Sequence, residues 1–119
     1  MANPNIAAAS QIRGRTEMQK IGTSLTAIAS NATSSNTVFK INVLVVTNVT
    51  SSDVSVTADI LRSGVATHLV KQILIPPNSA VVLAAKENPF YLLEGDALRL
   101  SASDANAAEA ICSFEEFVA

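Results

Sequence analysis

The sequence predicts an all-β fold, an antiparallel two-sheet β-sandwich of jelly-roll or immunoglobulin-like topology with an extended N-terminal arm. Two observations predict it. From Ile21 onward, short runs rich in valine, isoleucine and threonine are punctuated by Gly, Pro, Asn, Asp and Ser about every 8 to 12 residues, the rhythm of short strands joined by tight turns. Within one of these runs Val54, Val56, Ala58 and Ile60 alternate with Ser55, Thr57, Asp59 and Leu61, the period-two pattern of a strand with one buried face. A chain of 119 residues has room for a single modest core. The expected organisation is an arm over residues 1–20 and a sandwich domain over 21–119.

The arm has no clean period. Before Met18 its apolar content is chiefly Ile6, Ala7, Ala8, Ala9 and Ile12, and a helix over 6–20 would carry Gly14 near its centre at a cost of about 1 kcal/mol. Two states stay open for it: solvated and mobile, or extended on a neighbouring subunit and ordered there. Ile6, Ile12, Arg13, Arg15 and Met18 are its candidate partner-docking residues.

Each later element has its own signal. Residues 24–30 form a first strand with Leu25, Ala27 and Ala29 on one face and Thr26 and Ile28 on the other, and 31–36 is a loop by composition. Over 37–49 there is little polar surface on either side, so this is the central strand, buried on both faces for part of its length. A turn at 50–53 leads into the alternating strand at 54. Ser63-Gly64 then turns the chain into a hairpin partner over 67–75, which Pro76-Pro77 must end because proline donates no ladder bond.

A short strand over 80–83 is interrupted by Lys86-Glu87-Asn88-Pro89, and Phe90, Tyr91 and Leu92 follow as an apolar anchor. Glu94-Gly95-Asp96 makes a tight turn, after which Leu98, Leu100 and Ala102 alternate with Arg99 and Ser101. Beyond a turn at 103–106, Ala108, Ala110, Cys112 and Phe114 place one face of a last strand in the core.

Composition narrows the function. Eight Lys+Arg against ten Asp+Glu leave no basic face for phosphates, so nucleic acid is not an expected partner. Charged residues make up 15% of the chain, and small Ala, Ser and Thr fill the deficit, as suits a surface that packs against copies or partners. The first thirty residues hold Arg13, Arg15, Glu17 and Lys20 and no signal-peptide core. Apolar runs such as Val43, Leu44, Val45 and Val46 are far short of the roughly 20 residues that span a bilayer, so no membrane role and a soluble, cytoplasmically made protein are expected.

No catalytic constellation emerges, and neither enzyme activity nor a cofactor or metal is expected. His68, the sole histidine, lies within a strand and has no nucleophile elbow to serve. Glu115 and Glu116 are adjacent in a strand, point to opposite faces and read as terminal solvation rather than a paired acid and base. The four glycines stand singly, so there is no phosphate loop, and no metal-ligand spacing occurs. Cys112, the only cysteine, reads as a small core hydrophobe. Asn31-Ala32-Thr33 and Asn48-Val49-Thr50 match the glycosylation pattern but read as loop and strand-end residues.

Phe39-Lys40-Ile41-Asn42, a valine run ending in Thr47-Asn48-Val49, Leu61-Arg62-Ser63-Gly64 and Ile75-Pro76-Pro77-Asn78-Ser79 follow one another in this order. Tyr91-Leu92-Leu93-Glu94-Gly95-Asp96-Ala97-Leu98-Arg99-Leu100, Ala102, Asn106 and Ser113-Phe114-Glu115-Glu116 complete the set. Together they resemble a group of small β-sandwich virion proteins of tailed bacteriophages, especially those of marine hosts such as cyanobacteria. The resemblance implies a non-enzymatic structural protein of the virion, assembled in the host cytoplasm, present in many copies or as a homo-oligomer. Its first expected role is a capsid decoration (cement) protein on the major capsid protein, its second a neck, tail or fibre-associated component. From another class, a carbohydrate-binding adhesin would use Phe90, Tyr91 and the loop at 31–36.

Overall fold

The computed structural model describes residues 6–119. Nine strands follow a short 3-10 turn at Ile6–Ala8: β1 Gln11–Lys20, β2 Thr26–Ser30, β3 Thr37–Asn48, β4 Val54–Arg62, β5 Val65–Ile75, β6 Ala80–Ala84, β7 Phe90–Leu92, β8 Ala97–Ala102 and β9 Ala108–Val118. One sheet runs β1-β9-β3-β6, with β7 beside β3 at its other half; the second runs β2-β8-β4-β5. All pairings are antiparallel.

The pairings are nested. β4 meets β5, β3 meets β6 and β7, β2 meets β8, and β1 meets β9, so the chain is one long hairpin folded over into two layers. This is jelly-roll topology, which decides between the two arrangements that strand count alone leaves open. The hairpin tip is Ser63-Gly64, where φ is 52° and 77°; two consecutive positive values make the two-residue turn whose twist matches its strands. Pro76-Pro77 ends β5 as expected.

Between the sheets lie Ile41, Leu44 and Val46 of β3, Val54 and Val56 of β4, Leu98 and Leu100 of β8 and Phe114 of β9, all 1% exposed or less. Phe39 and Phe114 stack with ring centroids 4.8 Å apart. Two buried asparagines tie the ends of the layers. The Asn31 amide donates to the Thr37 and Leu92 carbonyls at 2.9 and 3.1 Å, and that of Asn48 to the Ser52 and Ile75 carbonyls at 2.7 and 2.9 Å. Each satisfies carbonyls at strand ends, that of Asn48 also one of the adjoining turn, and neither buried side chain is a glycosylation acceptor in the folded chain.

Four features differ from the sequence reading. Residues 11–20 are an integral sheet strand, paired with β9 over ten registered positions, so that part of the expected arm belongs to the sandwich. Its apolar residues stay outside the core, which is why no alternation betrays it; residues 1–5 of the arm lie outside the described residues. In β2 a bulge at Ile28 turns both Ile28 and Ala29 inward, where strict alternation would separate them. Asp59, expected on the solvated face of β4, is fully buried under Arg99 of β8. Glu116 is held by Arg13 and Arg15 rather than standing in solvent, its side chain 15% exposed.

Candidate functional site

The sheet β1-β9-β3-β6 carries the most distinctive surface. Met18 of β1 is registered with Ile111 of β9, Ile111 with Val45 of β3, and Val45 with Val82 of β6. One straight row of apolar side chains therefore crosses all four strands on the face turned away from the core. Met18 is 76% exposed, Val82 59% and Ile111 48%. Beside the row, Lys20, Glu109 and Thr47 form the next registered line, and with Met18, Ile111 and Val45 they line an open groove of about 350 Å³. Isolated apolar residues on a surface are ordinary; a contiguous band that spans a sheet is a candidate contact surface.

The five docking residues read from the sequence divide between two faces. Ile12 and Met18 lie on the outer face of β1, both exposed, and Ile6 is exposed in the preceding turn. Arg13 and Arg15 fall on the opposite side. The Arg15 guanidinium sits over the Phe114 and Phe39 rings at 5.0 and 5.6 Å, donates a hydrogen bond to Glu17 at 3.2 Å and forms an ion pair with Glu116 at 3.6 Å. Arg15 thus covers the open end of the aromatic stack. Ile111, Val45 and Val82 were not singled out in the sequence, because each is one ordinary strand residue until register aligns them.

Gln19 hydrogen-bonds β1 to the second sheet: its amide donates to the Ala27 and Thr26 carbonyls of β2 at 3.1 and 3.4 Å. These bonds close that side of the sandwich and occupy acceptors of the β2 edge.

The other singled-out residues have structural environments. His68 is exposed on β5, registered with Asp59. Phe90 packs on the core, whereas Tyr91, on the opposite face of the three-residue β7, is 41% exposed, so the two rings do not form a common platform for a sugar. The Arg62 guanidinium binds fully buried Asp96 through Nε to Oδ1 at 2.9 Å and Nη2 to Oδ2 at 2.6 Å, and the Leu93 N–H donates to the same carboxylate at 2.8 Å. These bonds raise the Arg62 pKa and brace the Glu94-Gly95-Asp96 turn. Among the described residues, no group of three or more His, Cys, Asp and Glu side chains is placed to hold a metal ion, and no helix is long and apolar enough to cross a membrane.

Cys112 is fully buried in β9. Burial, then the Glu17 charge, pushes its pKa up from 9.0 to about 12. The folded protein should therefore resist thiol reagents at pH 8 and release one reactive thiol per chain in denaturant, as measured with Ellman's reagent; rapid native labelling would contradict the burial. Because the folded state holds this proton more tightly, the contribution to stability is complete below the unfolded value and is lost as pH rises toward about 12.

No protein-family model matches the sequence, and a comparison with curated proteins finds no match. Among solved structures, the chain is similar to that of Bacillus endospore appendages, described as a novel family of disulfide-linked pili, at a TM-score of 0.54 and 14% identity over 91% of this chain and 87% of that one. It also aligns with the infectious bursal disease virus VP2 subviral particle at a TM-score of 0.49 and 11% identity, over 92% of this chain but 33% of that chain. The likeness to the appendage subunit is one of fold, and it agrees with the sandwich built strand by strand above.

Proposed function

We propose that this chain is a non-enzymatic structural subunit of a many-copy assembly, and within that class a virion protein that decorates the outer capsid shell. The observation that carries the reading is the apolar row Met18, Ile111, Val45 and Val82, laid across one sheet face of a small, rigid sandwich. A surface of this kind lets one subunit seat repeatedly on identical neighbours at little cost in side-chain ordering. The bacteriophage resemblance, over about residues 20–117, supports the virion assignment. The pilus structure supports a sandwich of this shape as a building block.

In this reading Met18 within the row, with Ile12 and Ile6 nearer the N-terminal end of the same segment, contacts the major capsid protein, while Arg13 and Arg15 hold β1 in place. The pili are described as disulfide-linked, a device this chain does not share, since its single cysteine is buried in the core. Its contacts are non-covalent, and many weak contacts over a shell suffice by avidity.

The test is the copy number of the protein in purified particles, by quantitative mass spectrometry against the major shell protein. One copy per shell subunit, or per few, is the expected result. A few dozen copies or fewer would move the protein to the neck or tail, and absence from particles would end the virion reading. In the same assay Met18→Asp, an exposed change on the outer face that leaves the pairing of β1 with β9 in place, should give a folded protein that no longer attaches.

A further inference from the structure

We propose that β1 is a self-pairing edge: two copies align β1 against β1, antiparallel about a two-fold axis, and join their β1-β9-β3-β6 sheets into one. It holds whether or not the chain belongs to a virion.

The sandwich has four strand edges, and three are blunted. β2 is five residues long, bulged at Ile28, and its Thr26 and Ala27 carbonyls already accept the Gln19 amide. β5 is broken by register shifts against β4, with Gln72 at a φ of 54°. The edge beyond β3 is split into β6 and β7 by the segment containing Lys86 and Pro89. Shortness, bulges, charge and proline are the devices by which sheets refuse a further strand. β1 is neither short, bulged nor interrupted by proline: it is ten residues long and pairs with β9 without a register shift, and the charges it carries, Arg13, Arg15, Glu17 and Lys20, are of both signs and can pair with a second copy.

The groups it offers follow from the ladder. The Ile21 N–H donates to the Ala108 carbonyl at 2.9 Å in the same register, so odd-numbered residues of β1 turn their backbone groups to β9. The N–H and C=O of Ile12, Gly14, Thr16, Met18 and Lys20 therefore point to the open edge. In a self-pair even residues must face even residues, which leaves few registers. Gly14 on the axis sets Arg13 against Arg15 of the second copy; Arg15 or Glu17 on the axis sets like charges together. Thr16 on the axis does neither.

In that register Arg15 of each copy opposes Glu17 of the other, in the non-hydrogen-bonded positions where side chains stand closest. Met18 lies opposite Gly14, where a Cβ would meet nothing within 4 Å, and covers the gap on the outer face. Ile12 meets the stem of Lys20. The two apolar rows then lie on the same face of one continuous sheet.

Sedimentation equilibrium tests this on the full chain. The wild type should be a reversible dimer. Thr16→Pro removes an N–H that β9 does not use, so it should give a monomer with an unchanged circular dichroism spectrum. Arg15→Glu and Glu17→Arg should each weaken self-association about tenfold by setting like charges opposite, while an equimolar mixture of the two should form a heterodimer near wild-type affinity. A wild type that stays monomeric at high concentration, a Thr16→Pro protein that dimerises as tightly as wild type, or charge variants that fail to prefer each other would each overturn the proposal. A monomeric Thr16→Pro protein that still coats particles would uphold it and leave the shell-binding face intact, so the two readings fail separately.

Discussion

Val56→Asp should abolish the fold. Val56 sits in β4 between β5 and β8, is fully buried, and belongs to the apolar core between the sheets. A carboxylate there has no cation or donor within the apolar layer, and the penalty for an unpaired buried ion is several kcal/mol even after relaxation. A domain of this size is stable by about 5–15 kcal/mol, so the variant should be insoluble or show no cooperative transition in urea. The matched control is Val82→Asp, on the same kind of residue but 59% exposed on the outer face of β6. That substitution should shift stability by no more than about 0.5 kcal/mol. A soluble, cooperatively folded Val56→Asp protein would mean that the face of β4 is wrongly assigned.

The second large effect belongs to the ion pair of the other face. Asp59 is fully buried, and Arg99 binds it through two parallel bonds, Nε to Oδ1 and Nη2 to Oδ2, both 2.8 Å. The carboxylate raises the Arg99 pKa, mainly through these hydrogen bonds. Arg99→Met keeps a stem over Asp59 but leaves its charge unpaired, and should cost about 3–5 kcal/mol. Adding Asp59→Val should recover most of that loss, because an apolar pair of fitting shape does without either desolvation. Urea midpoints of the two single variants and the double variant measure the coupling; a nearly unperturbed Arg99→Met protein would show that water reaches Asp59 freely.

The interior strands were legible because the two sides of each meet different solvents. β4, β8 and β9 alternate along the sequence for that reason, and β3 loses its alternation where Thr37, Val38 and Phe39 are all buried. β1 was illegible as a strand because its apolar residues Ile12 and Met18 face outward and its partner holds it by backbone bonds, which leave no pattern in side-chain type. The bulge at Ile28 and the burial of Asp59 are likewise set by neighbours, one by the register of β8, the other by the reach of Arg99. The candidate surface needs still more: residues 18, 45, 82 and 111 become one row only after three separate registers are fixed. Composition suggests a surface suited to packing, and only the sheet shows which residues form an apolar row.

The nested hairpin also sets an order of events during synthesis. Ser63-Gly64 closes β4 on β5 as soon as both have been made, whereas β1 must wait for β9, which is translated roughly a hundred residues later. At ordinary ribosomal rates that is a delay of about 5–20 s. Through this interval β1 is an unpaired strand, and its own sequence has to protect it. Arg13, Arg15, Glu17 and Lys20 in a ten-residue segment broken by Gly14 do so, since charges and glycine discourage promiscuous cross-chain stacking. The polar composition that hid β1 from a reading of the sequence is what keeps the nascent chain soluble until its last strand arrives.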